Sequence, residues 1–291
     1  MAFDGGLGVI LDRLEAIGEL DNTLIVVSGD HGIPGFPRAK CNLYNIGCEV
    51  AMAARWPGRI EPGRVVEDFV NLMDLGPTFM EAADVPVPHT MTGKSLVPVF
   101  DSKASGQVDS DRTFVVTGRE RHVSVAREGF LPYPQRAIRT DDFLYVHNFA
   151  PDRWPAGDPY GMDDPNAEPP SYESLEQETY VAYPDMDASP TKAWMVHHRG
   201  EAEVERSFDL GFGKRPQEEL YDLRVDADYM NNLAADSEYA AVKQELHDQL
   251  MALLREQEDP RVVEEPCRFE HEPYAGRDPQ REARQQKAKS S

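Results

Sequence analysis

Leu24 to Tyr44 reads LIVVSGDHGIPGFPRAKCNLY, an apolar run that stops abruptly at Ser28-Gly29-Asp30-His31-Gly32. Four aliphatic residues in succession, Leu24 to Val27, predict a central strand buried on both faces, as in a parallel sheet covered by helices. Such a strand delivers the residues after it to the carboxyl edge of the sheet, where open α/β sheets bind ligands. Asp30 and His31 stand at that address, and two cations, Arg38 and Lys40, follow within a few residues. A carboxylate, an imidazole and two cations in one loop are the parts of a site for a metal ion and an oxyanion. Read from residue chemistry, the pair leaves calcium, magnesium and zinc open. It also leaves open a turn-capping aspartate beside a solvated histidine.

Upstream, Leu7, Ile10, Leu11, Leu14 and Ile17 recur at spacings of three and four, predicting an amphipathic helix over residues 4–20 that stops near Gly18. The chain therefore reads as opening inside a domain whose earlier strands are absent. Downstream, Glu49 to Trp56 reads as a second strand. Val65 to Ala83 begins extended and continues as a helix from Pro77, with Asp74 as its cap. Residues 84–112 are rich in Pro, Ser and Asp and read as a surface connection. Thr113 to Thr117 predicts a strand running into Gly118-Arg119-Glu120-Arg121-His122, and Arg136–Arg139 with Phe143–His147 predicts an antiparallel hairpin. Residues 150–190 show little periodicity and read as a long loop or poorly packed insertion. A helix from about Ser237 to Glu258 carries Val242, Leu246, Leu250, Leu253 and Leu254 on one face. The organisation expected is thus 1–112 as part of an α/β core domain, 113–258 as a smaller α+β subdomain with an antiparallel sheet, and 259–291 as a disordered tail.

With 291 residues, 40% of them hydrophobic, the chain can bury a sizeable core. Its 52 acidic against 30 basic residues argue against a nucleic-acid partner and require a local patch to attract an anionic substrate. Three scattered cysteines, Cys41, Cys48 and Cys267, make neither a zinc spacing nor a disulfide framework. No stretch has the length of a membrane span, and the N-terminus lacks the features of a secretory signal.

The stretch from Asp21 to Gly32 resembles the second metal-binding segment of the sulfatases, within the alkaline phosphatase superfamily. Its continuation, Lys40-Cys41-Asn42-Leu43-Tyr44, is similar to the sulfamidase branch, the heparan N-sulfatases. Val70 to Phe79 (VNLMDLGPTF), Thr92 to Leu96 (TGKSL) and Glu218 to Leu223 (EELYDL) recur in that family in the same order, so the resemblance covers roughly residues 4–258.

The resemblance implies an α/β sulfatase-type sheet covered by helices, and a hydrolase acting on a sulfate ester or N-sulfate of a sulfated saccharide. It implies Asp30 and His31 as two ligands of one Ca²⁺, the remaining ligands coming from an absent N-terminal part. It implies Lys40 as the sulfate-binding cation, and Arg119, Glu120, Arg121 and His122 as the sugar-binding side of the pocket. A charged turn facing water is the plain alternative for those four. The family setting is extracytoplasmic; a homo-oligomer stays open. Sulfatases also need a formylglycine made in a Cys/Ser-x-Pro/Ala-x-Arg motif, and no cysteine or serine here fits it. The chain thus reads as the C-terminal portion of a sulfatase, inactive alone. Two other readings are kept: a phosphatase or phosphodiesterase of the same superfamily, and a non-catalytic glycan-binding protein.

Overall fold

The computed structural model describes residues 2–271, which divide into two compact units. The first contains the residues up to Asp30 and Val50–Val115; the second contains His31–Glu49 and the residues from Val116 onward.

In the first unit, α1 (Ala2–Ala16) ends where Gly18 takes a positive φ and closes the turn through its amide to the Glu15 carbonyl. None of its residues is buried. Strand β1 (Ile25–Ser28) comes next. In the second unit, α2 (Asn45–Cys48) is a single turn. Back in the first unit, β2 (Met52–Arg55) pairs antiparallel with β1, Val26 opposite Ala54. The expectation of a central strand in a parallel sheet is corrected on this point. The chain folds back after Ser28 and its return strand forms the partner; all four β1 residues are half-buried rather than enclosed on both faces.

Helices α3 (Leu75–Ala82) and α4 (Val97–Asp101) supply the core of this unit through Thr78, Leu96, Val97, Val99 and Phe100. Asp74 does not cap α3 with its side chain. Its carboxylate closes a capping box with Asn71 on the 3₁₀ turn Leu72–Asp74, accepts the Lys94 amide at 2.8 Å, and pairs with buried Arg112 at 2.8 Å. Arg112 in turn donates to the Phe69, Lys94 and Ser95 carbonyls. The apparent connection over residues 84–112 is therefore stitched to the helix it follows.

The second unit is organised on a four-stranded sheet in the order β3 (Phe114–Arg119), β4 (Gln135–Thr140), β5 (Phe143–Asn148) and β6 (Glu218–Asp222). The predicted hairpin is β4–β5, with Ala137 opposite Val146, and β6 adds antiparallel to β5. Alternate residues of these strands meet Leu43, Tyr44 and Tyr229 in one core cluster. The loop leading to Tyr44 is thereby anchored to the sheet.

The segment expected to be loosely packed instead carries a second core. Helices α5 (Tyr172–Gln177), α6 (Pro190–His198) and α7 (Ala202–Phe212) enclose Met162, Leu175, Tyr183, Met186, Val196, Phe208 and Phe212. Its apolar residues come from turns as well as helices, so no single period reveals them. Lys192 is fully buried here and donates to the carbonyls of Thr179, Tyr183 and Met186.

Helix α8 (Ala240–Glu256) buries Leu246, Leu250 and Leu254 of the face its periodicity predicts, together with Met251, while Val242 and Leu253 stay half-buried. The expected disordered tail is ordered through His271. Helix α9 (Pro260–Val263) is capped by Asp259, and Arg261 pairs with Glu120 at 2.6 Å and with Glu270 at 2.5 Å. Charge pairing rather than an apolar pattern holds this segment. The rest of the expected tail, residues 272–291, lies outside the described residues.

Truncating Arg112 leaves the Asp74 carboxylate buried and unpaired. Arg112→Ala is expected to lower stability by about 3–5 kcal/mol, the usual cost of breaking a buried pair, measured by equilibrium urea unfolding of the whole chain.

Candidate functional site

The loop after His31 is wound so tightly against α2 that the helix needs glycine at position 47. A Cβ on Gly47 would lie 2.4 Å from the carbonyl oxygens of both Ala39 and Asn42. Arg38 and Cys41, on either side of Lys40, both hold positive φ (59° and 67°), a conformation that costs energy for residues with a side chain. The fold sustains it through side-chain anchors. Arg38 lies 3.7 Å over the Tyr44 ring and donates to the Tyr229 carbonyl and, at 2.9 Å, to the Tyr221 hydroxyl. Tyr44 and Tyr221 both donate to the Glu219 carboxylate, at 2.6 and 2.7 Å. Asn42 Oδ1 accepts from buried Arg215 at 2.9 Å. Of the two cations in the loop, Arg38 is thus built into the core, whereas Lys40 stays partly exposed.

Lys40 meets Asp187, its Nζ 3.0 Å from Oδ2. Two residues earlier, Asp185 is fully enclosed. Its Oδ2 accepts from Arg119 at 2.7 Å and Arg127 at 2.6 Å, and its Oδ1 accepts the Val123 amide at 2.9 Å. The Cys41 thiol donates to its carbonyl at 3.2 Å. Burial pushes the Asp185 carboxyl up, but the two guanidinium groups and its hydrogen bonds outweigh that and hold it well below the usual carboxylate range. Two buried cations on one carboxylate leave a net positive charge, which is what an anion site needs.

His122 stands on the rim of this cluster. Its Nδ1 is 3.7 Å from Asp185 Oδ1, the spacing of an ion pair and longer than a direct hydrogen bond. Interaction with Asp185, and then with Cys41, raises its pKa to about 9 against the opposing effect of burial. His122 is therefore a cation at neutral pH.

Of the residues singled out in sequence, the fold gathers Lys40, Arg119 and His122 around the segment 185–187. Glu120 and Arg121 are directed elsewhere. Glu120 pairs with Arg136 at 2.8 Å and with Arg261, and Arg121 donates to the Phe130 and Phe269 carbonyls. Asp30 ends one stretch of the first unit and His31 opens a stretch of the second; both are exposed, and His31 Nδ1 lies 2.7 Å from the Gly32 carbonyl oxygen. Among the described residues no group of three or more His, Cys, Asp or Glu is placed to hold a metal ion. Calcium takes six to eight oxygen ligands, so Asp30 and His31 fit only as a minority of such a shell.

Sequence reasoning missed Arg127, Asp185, Asp187 and Arg215. Asp185 and Asp187 lie in a stretch without periodicity, and only the fold shows that they face the Lys40 loop.

Residues 32–156 match the family model described as N-sulphoglucosamine sulphohydrolase, C-terminal. Human N-sulphoglucosamine sulphohydrolase is 28% identical over 280 residues, covering 89% of this chain and 47% of that protein. An ulvan-active sulfatase of Formosa agariphila is 27% identical over 239 residues, covering 82% of this chain and 39% of that protein. Among solved structures, BT4656 in complex with its substrate D-glucosamine-2-N,6-O-disulfate superposes with a TM-score of 0.56 at 22% identity, covering 90% of this chain and 40% of that one.

The fold is that of the sulfatases, alkaline phosphatase-like proteins with an antiparallel C-terminal sheet. The family-model match and the human relative support a C-terminal sulfatase portion of the sulfamidase-like group. It spans less than half the length of the curated relatives it matches.

The raised pKa of His122 makes its protonated form a stabilising contact below about pH 6.5, its ordinary value, that is lost as pH rises through about 9. NMR titration of the His122 ring should show a midpoint near 9, falling toward 6.5 in Asp185→Asn. Wild type should exceed His122→Gln in stability at pH 6, with the gap closing by about pH 10. Lys192, whose pKa burial lowers to about 8, is common to both proteins, so the difference reports His122.

Proposed function

We propose that this chain is the substrate-facing portion of a sulfatase that hydrolyses a sulfate ester or N-sulfate on a glycan of the N-sulfoglucosamine type. The observation that carries the reading is the cationic cluster of Arg119, Arg127 and His122 about Asp185, with Lys40 on Asp187 two residues further along, in a chain whose residues 32–156 match the sulphohydrolase C-terminal model. Lys40, whose side chain is partly exposed, is the group that reaches the sulfate oxygens, and it stabilises negative charge as the S–O or S–N bond breaks. His122 is the second cation within reach of the ligand. Arg119 and Arg127 are enclosed and act by holding Asp185.

Asp30 and His31 are the residues of this chain that would hold a calcium ion. That ion supplies charge neutralisation at the sulfate when bound. The covalent acceptor is another matter: formylglycine requires a motif that residues 1–291 do not contain, and no carboxylate or amine of the site replaces it. An extracytoplasmic setting belongs to the same proposal. No helix among the described residues is long and apolar enough to cross a membrane.

Purified 1–291 should release no sulfate from N-sulfoglucosamine, and turnover by this chain would overturn the assignment of the nucleophile to sequence outside it. Binding is the positive test. Lys40→Ala should weaken N-sulfoglucosamine binding at least tenfold by calorimetry, the loss expected for a charge-assisted contact of about 1.5–3 kcal/mol. Unchanged binding would remove Lys40 from the site.

A further inference from the structure

The crevice beside Lys40, lined by Phe36, Arg38, Asn42, Met186, Asp187 and Gly211, has a volume of only about 10 Å³, room for a single water. A ligand therefore meets the Lys40–Asp187 pair from outside, where the two side chains are 24% and 30% exposed. The ammonium carries three donors and gives one to Asp187, so it has donors left for an incoming oxyanion.

Asp187 is poorly placed to withdraw. Asp185, two residues before it, is locked by Arg119, Arg127 and the Val123 amide. The intervening Met186 carbonyl is held at 2.9 Å by the buried Lys192 ammonium, and the amide of Ala188, the next residue, donates to Thr179 Oγ1. An anion that binds Lys40 keeps a fixed carboxylate as its neighbour. For inorganic sulfate that neighbour is repulsive. For a sulfate attached to a sugar, an adjacent N–H or O–H can point at the carboxylate and turn the repulsion into a hydrogen bond.

We propose that Asp187 is a specificity-determining residue at this site: it accepts from an N–H or hydroxyl next to the sulfate while Lys40 donates to the sulfate oxygens, so the pair selects sulfated sugars over bare sulfate. The inference rests on the reading of Lys40 as the sulfate-binding cation. A residue that merely shapes the loop would, when changed, weaken both ligands together, whereas Asp187 moves them in opposite directions.

The test is calorimetry on the full 1–291 chain with two probes, sodium sulfate and N-sulfoglucosamine, at constant ionic strength. Asp187→Asn should bind inorganic sulfate roughly threefold to tenfold tighter, the size of one unit-charge repulsion of about 1 kcal/mol at about 4 Å when fully screened by water. It should bind N-sulfoglucosamine weaker by a similar factor, and Asp187→Glu should retain the wild-type preference. If Asp187→Asn loses its native circular dichroism, Asp187→Glu and Asp187→Ser take its place, with Ser expected to follow Asn. Parallel changes in both affinities, or none, with Lys40→Ala still weakening binding at least tenfold, would overturn the role of Asp187 alone. Binding of both probes unaffected by Lys40→Ala, or absent in wild type, would overturn the Lys40 reading and this inference with it.

Discussion

A single buried carboxylate governs the architecture of the second unit. Asp185 is enclosed with two guanidinium groups, a backbone amide and an imidazole about it. An ionised group removed from water is tolerable only when its partners are all in place, and removing any one leaves a charge that the interior cannot solvate. Arg119 arrives at the end of β3, Arg127 from the turn before β4, and Asp185 from the segment before α6. The carboxylate therefore dictates where three separate stretches of chain must meet. Cys41, donating to the Asp185 carbonyl, brings the Lys40 loop to the same point.

The same turn divides its side chains between two structural tasks. Arg119 and His122 face Asp185, while Glu120 and Arg121 hold the segment 259–271 through Arg261 and the Phe269 carbonyl. Glu120 joins a ladder of alternating charge, Arg136 to Asp259 and Arg261 to Glu270 to Arg153. Partial burial lets each ion of such a network satisfy more than one partner, which an isolated surface pair does not achieve. What reads in sequence as one charged cluster, Arg119 to His122, is thus a junction with one face toward the candidate site and one toward the C-terminal segment.

The energetics of the Lys40 loop follow a comparable logic. Two residues in left-handed backbone and a glycine that admits no side chain make a costly local geometry. Tyr44, Tyr221, Tyr229 and Glu219 offset it by clamping Arg38 and the loop's end to the sheet, and burial beside Glu219 pushes the Tyr44 hydroxyl up to about 12, so it remains a donor. Strain is concentrated where one cation must be presented outward while its neighbour Arg38 is drawn in.

The residues alone determined a good deal. The β4–β5 hairpin, the apolar face of α8, the ordered motifs from Asp21 to Leu223 and the absence of a nucleophile motif are all local patterns, each readable within a short window. The antiparallel pairing of β1, the core hidden in 150–190, the order of 259–271 and the Asp185 and Asp187 contacts belonged to tertiary structure alone. Asp185 meets Arg119 across 66 residues and Asp187 meets Lys40 across 147. No periodicity extends that far, and a carboxylate in an aperiodic stretch looks solvated until the fold closes two guanidinium groups around it.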